Sequence, residues 1–152
     1  MQARMKNPAM VHPDVMAALG ALAGVVEKGP LPDTTRDLVH LRVSQINGCG
    51  VCVDLHAHGL RKTKEPLERL LSIAAWRDVP YFTPPERAAL ALAESITRLA
   101  DASDPVPDAI WNEASKHYDE AALAQLVLLC ALANFWNRLN VPTRQVAGAQ
   151  RW

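Results

Sequence analysis

A chain of 152 residues with sixteen basic and sixteen acidic side chains has the length for one ordinary domain with its own core. Apolar residues make up 49% of it, which argues against disorder. The even charge balance, with no Lys-rich or Arg-rich run, argues against a nucleic-acid binder, which needs a basic patch to displace counterions from phosphate.

The opening "MQARMKNPAMVHPD" has no apolar core of the signal-peptide kind, and residues 1–12 read as an irregular terminus. Val15, Leu19, Leu22 and Val26 mark one face of a first helix, opened by Pro13 and closed by Gly29. After the linker "GPLPD" a second helix begins near Thr34 and ends at Gly48, and Thr34 with Asp37 has capping-box spacing. A third helix opens at Cys49. Pro66, Pro85 and Pro107 each stand where a new helix begins, with apolar residues at helical spacing after them.

A long last helix runs from about residue 119 to 139, and residues 142–152 look irregular. Its apolar run, residues 121–136, falls short of the ~20 residues a bilayer requires and is interrupted by Gln125 and Asn134, so it reads as a buried helix and not a membrane span. Only a few residues around "VPYFT" alternate as a strand does. The expectation is a single all-α domain over residues 1–152, with a C-x-x-C at the start of a central helix.

The chemistry concentrates in "QINGCGVCVDLHAHGL", residues 45–60. Three cysteines without an export signal point to a reducing, cytoplasmic setting, where a C-x-x-C pair is catalytic or metal-binding more often than structural. A helix opening at Cys49 places thiols near unpaired backbone N–H groups and the positive end of the helix dipole, which stabilises a thiolate. Cys52 lies one turn on, within reach of a disulfide, and His56 lies one turn further on the same face. A histidine there can accept the thiol proton or, once protonated, stabilise the thiolate. His58 points to another side.

Other readings stand beside this one. Buried cysteines can be mere small hydrophobes. A zinc site would have Cys49, Cys52 and His56 but needs a fourth ligand, which Cys130 supplies only if the last helix packs there; no metal is assigned. If the second and third helices form a hairpin, Asp37 lies roughly 16 Å back along one and His56 roughly 12 Å along the other, so the two can meet. Asp37 is equally placed for helix capping, and His40, one turn later, is a second relay candidate.

The segment "RDLVHLRVSQINGCGVCVDLHAHGLRK" resembles the signature of the AhpD-like alkylhydroperoxidases in the carboxymuconolactone decarboxylase superfamily: an acid twelve residues before a C-x-x-C, and histidine four after its second cysteine. "AAWRDVPYFTPPERAALALAE" and "NFWNRLNV" resemble the segments that follow, so the likeness spans about residues 5–148. It implies an all-helical fold assembling as a homotrimer or homohexamer, and thiol-based reduction of a hydroperoxide without a cofactor. Carried over, Cys52 is the peroxidatic cysteine, Cys49 the resolving one, and His56 with Asp37 the proton relay. An external dithiol or protein reductant then regenerates the pair.

Two departures stand out. Asp37 replaces the glutamate of the better-known peroxidases, one methylene shorter. Val51 stands where they often carry histidine, and valine can neither relay a proton nor stabilise a charge. The decarboxylase branch does not use this dithiol. The alternatives are a dithiol–disulfide reductase, or a helical oligomer whose cysteine pair senses oxidants or binds metal. Trp76, Trp111, Trp136 and Trp152 are either core residues or interface anchors.

Overall fold

Proline opens most of the helices in the computed structural model, which describes residues 1–62 and 64–148; Trp152 lies outside them. α1 (Pro8–Val11), α2 (Pro13–Val26) and α6 (Pro84–Thr97) carry proline in the first turn, where its missing N–H is no loss. α3 (Asp33–Ile46), α5 (Leu67–Ser72) and α7 (Asp108–Ser115) follow Pro32, Pro66 and Pro107 directly. α4 (Gly50–Lys62) and α8 (Glu120–Asn140) complete the set. A 3-10 segment, Ile73–Asp78, links α5 to α6, and another, Leu99–Asp101, follows α6. The fold is all-α, with no strand among the described residues; "VPYFT" is a bend and turn leading into α6.

α3 is the central element because it is apolar on two sides. Val39 and Val43 join Ala89, Leu92, Leu126 and Leu129 of α6 and α8 in one core cluster. Leu38 and Leu41 join Leu60, Ile73, Trp76, Phe82 and Leu90 in a second. α4 doubles back on α3, and their contact is the most extensive in the molecule. α8 is long and apolar enough to span a bilayer by length and composition, but half of its apolar window is buried inside the domain. Its Gln125 and Asn137 make buried hydrogen bonds with Leu31, Val26 and Ser44, as a core helix of this composition requires.

Several local expectations are corrected. Residues 1–12 are not wholly irregular: Asn7 caps the single turn of α1 by accepting from the Ala9 N–H at 2.9 Å. The capping box at Thr34 and Asp37 does not form; α3 has no side-chain cap, and the Thr34 hydroxyl donates to Glu65. A capping box forms instead at Thr83 and Glu86, from the same S/T-x-x-E logic. Val15 and Leu22 of α2 are 42% and 47% exposed. α2 packs mainly against α1 and α8; Val26 enters the core, and Met16, Leu19, Gly20, Ala23 and Glu27 border a cavity.

The buried carboxylates brace the connection between α4 and α6. Glu94 accepts from Arg42 at 2.6 Å, Arg77 at 2.5 Å and the Trp76 indole at 3.1 Å. Glu86 pairs with Arg69 at 2.6 Å. Trp76 is thus a core tryptophan with its N–H satisfied, while Trp111 is exposed.

Candidate active site

The site is set by the turn between α3 and α4. Gly48 has φ +68°, a left-handed conformation that glycine adopts without steric cost. The chain reverses there, with the Cys49 N–H bonded to the Ser44 carbonyl at 2.9 Å. The Cys49 carbonyl then accepts from Val53 N–H at 2.9 Å, so Cys49 is the N-cap of α4 and not its first helical residue. Cys52 falls in the first turn, among N–H groups that lack intrahelical partners. Cys49 and Cys52 form a disulfide, with Cα atoms 5.3 Å apart. Both are buried, but only Cys52 lines the cavity.

His56 follows one turn later. Its Nδ1 stands 3.9 Å from Asp37 Oδ1 across the α3–α4 hairpin, within ion-pair range but longer than a hydrogen bond. Gly59 makes room for this approach: a Cβ there would sit 3.3 Å from Asp37 Oδ2. The His56 ring stacks on His40, centroids 4.5 Å apart and planes 3° from parallel. His40 Nε2 in turn lies 3.5 Å from Glu27 Oε1. The hairpin therefore brings Asp37 and His40 to His56 together, and adds Glu27 at the end of α2.

The charges of this group are unequal. Burial holds the His56 pKa below its ordinary value; the neighbouring Asp37 works against the shift, and His40 adds to it. His56 is accordingly neutral near pH 7. Glu27 is held below the usual carboxylate range, first by His40 and also by Arg36, whose Nε lies 3.0 Å away.

The cavity has a volume of about 320 Å³. Met16, Leu19, Val51, Leu55, Leu132 and Trp136 give it an apolar wall. Cys52, His40, His56, Glu27 and Asn140 contribute the polar part. Asp37 and Cys49 stand behind the residues that line it. Asn140, near the end of α8, donates its Nδ2 to Cys52 Sγ at 3.3 Å. Sequence spacing gave no signal for Glu27 or Asn140, since each is brought in by tertiary packing; "NFWNRLNV" carried a likeness but no role.

Two remaining candidates fall elsewhere. His58 is exposed and bonds the Asp54 carbonyl of its own helix at 2.8 Å. Cys130 is sealed in the core, and burial pushes its thiol up to about 12. Among the described residues no group of three or more His, Cys, Asp or Glu side chains converges as a metal site would.

The sequence profile described as the carboxymuconolactone decarboxylase family matches residues 13–95, from α2 through most of α6. The chain belongs to the carboxymuconolactone decarboxylase family. An uncharacterised protein of Bacillus subtilis, YdfG, is 35% identical over 131 residues, 86% of this chain and 88% of its own length. Among solved structures, ATU0492 of Agrobacterium tumefaciens aligns over 98% of this chain and 100% of its own, with TM-score 0.90 and 28% identity. That protein is of unknown function, with an AhpD antioxidant-defence role provisionally ascribed to it. An alkylhydroperoxidase AhpD core from Ralstonia eutropha JMP134, a peroxidase-related protein also uncharacterised, covers 93% of this chain and 74% of its own at TM-score 0.80 and 22% identity. Within the carboxymuconolactone decarboxylase family the chain is thus AhpD-like, and its C-x-x-C gives it a redox-related site.

The neutral state of His56 has a consequence for stability. An unfolded histidine takes up a proton below about pH 6.5, whereas His56 resists protonation in the fold. The unfolded state then binds more protons, so its contribution to stability is lost as pH falls below about 6.5. With the disulfide kept oxidised, the drop in unfolding free energy between pH 7 and pH 5, measured by urea titration, is expected to be smaller in His56→Gln than in the parent. An equal drop in both would mean that His56 is not held neutral by burial.

Proposed function

We propose that the chain is a two-cysteine thiol peroxidase that reduces organic hydroperoxides. The observation that carries this reading is that Cys52, and not Cys49, opens onto an apolar-walled cavity beside a neutral imidazole. His56 takes the Cys52 proton, and the thiolate attacks the distal peroxide oxygen. The S–O bond forms as the O–O bond breaks, and the departing alkoxide leaves as an alcohol with the proton from His56. Cys52 is now a sulfenic acid. The Cys49 sulfur displaces its oxygen as water and forms the disulfide. Two electrons have passed from the thiols to the peroxide.

An external dithiol returns them by exchange at the disulfide, and no cofactor enters the cycle. Asp37 orients His56 from behind. Val51 contributes apolar wall where a histidine would contribute a proton, so the proton traffic falls on His56. The cycle fits a reducing compartment, and we assign it to the cytoplasm. We also assign a closed homotrimer or homohexamer, supported by the apolar side chains that α1 and α2 leave outside: Val11, Val15, Leu22 and the 73% exposed Val25.

Consumption of an organic hydroperoxide with excess dithiol is expected for the parent protein and is abolished in Cys52→Ser. His56→Ala lowers the rate on the order of 10²-fold, the scale of one acid–base group, and Asp37→Asn lowers it less. Turnover by Cys52→Ser, or none by the parent with several dithiols, would contradict the reading. Light scattering that returned a monomer at micromolar concentration would remove the assembly.

A further inference from the structure

We propose that Asn140 is a catalytic residue of this cycle: its amide N–H stabilises the Cys52 thiolate, and Asn7 is the positioning residue that keeps the amide turned the right way. The inference rests on the peroxidase reading for its role in turnover, but not for its effect on the thiol.

Asparagine presents an oxygen and an NH₂ of nearly the same shape, so which end faces a neighbour must follow from the surrounding bonds. Here the surroundings decide it. The Ala9 backbone N–H can only donate, and its acceptor is Asn7 Oδ1 at 2.9 Å. Asn7 must therefore present Nδ2 on its other side, where it donates to Asn140 Oδ1 at 2.7 Å. With its oxygen committed, Asn140 has only Nδ2 to offer Cys52 Sγ, at 3.3 Å. A single backbone N–H thus fixes two amides and aims a donor at the sulfur.

The chain is held at both ends. Asn7 is 6% exposed, and its segment is tied to the end of α8 by bonds from Arg4 N–H to the Thr143 carbonyl at 2.9 Å, from the Arg4 side chain to the Pro142 carbonyl at 3.0 Å, and from Gln145 to the Met5 carbonyl at 2.9 Å. One turn before Asn140, α8 is tied to the cysteine turn by Asn47, which donates to Asn137 Oδ1 at 2.8 Å. Cys49 receives no such donor among the described residues. A hydrogen bond gains strength when its acceptor becomes an anion, so the amide favours the thiolate over the thiol at Cys52 alone.

The test uses the full chain with Cys49→Ser, which leaves Cys52 as the reactive thiol because Cys130 is buried. Alkylation by iodoacetamide is followed against pH. Adding Asn140→Leu, neutral and of similar size, is expected to slow alkylation at pH 7 about tenfold, an upward shift of one pKa unit, while the limiting rate at high pH stays the same. Asn7→Ser retains an oxygen that can cap α1 but, being shorter, withdraws the amide N–H that reaches Asn140, and is expected to shift the profile in the same direction by less.

A profile for Asn140→Leu that superimposes on the parent's would overturn the proposal, as would slowing that persists at high pH, which would mark a packing effect. An unshifted Asn7→Ser profile would overturn the positioning role. Hydroperoxide consumption is read separately in the protein with both cysteines: if the profiles shift as expected but the parent reduces no hydroperoxide, the peroxidase reading fails and the thiolate donor stands.

Discussion

The reversal at Gly48 is the constraint on which the site depends. A left-handed residue there ends α3, lets the Ser44 carbonyl capture the Cys49 N–H, and starts α4 within two residues. A side chain in that conformation costs roughly 1–2 kcal/mol. The tight reversal sends α4 back along α3 so that His56 comes level with Asp37 and His40. It also leaves both cysteines at the start of a helix whose first N–H groups have no backbone acceptors, the place where a thiolate costs least.

Around that turn the protein separates charge from apolar surface. Glu27 stands beside one of the two stacked imidazoles and Asp37 beside the other, and burial favours the neutral form of His56. Parallel rings 4.5 Å apart also disfavour protonating both, since like charges at that distance repel. Met16, Leu19, Val51, Leu55, Leu132 and Trp136 give the cavity an apolar wall of the kind that suits an apolar body. Charged groups elsewhere in the interior are kept in closed sets, such as Glu94 with Arg42, Arg77 and Trp76.

Local signals were the readable ones. Proline placed the helix starts, and the spacing of Cys52 and His56 placed both on one helix, with Cys49 at its cap and not inside it. Helix rise along the hairpin brought Asp37 level with His56, and both Asp37 and His40 lie against that ring, one beside it and one stacked on it. α2 misled because "PDVMAALGALAGVV" is apolar on nearly every side, so periodicity cannot select a buried face. The Thr34–Asp37 capping box failed because Pro32 already opens the helix and Asp37 is drawn to α4. Glu27, Asn7 and Asn140 were illegible for a different reason: each reaches the site only through the docking of α2, α1 and the end of α8, and no local pattern records such docking.

The central claim is that Cys52 is the sulfur that meets the peroxide. The most direct measurement treats Cys49→Ser protein with one equivalent of an organic hydroperoxide, traps sulfenic acid with a dimedone reagent, and maps the adduct by peptide mass spectrometry. The expected adduct is on Cys52, with Cys130 unmodified. An adduct on Cys130, or none on Cys52 while the hydroperoxide is consumed, would contradict the claim.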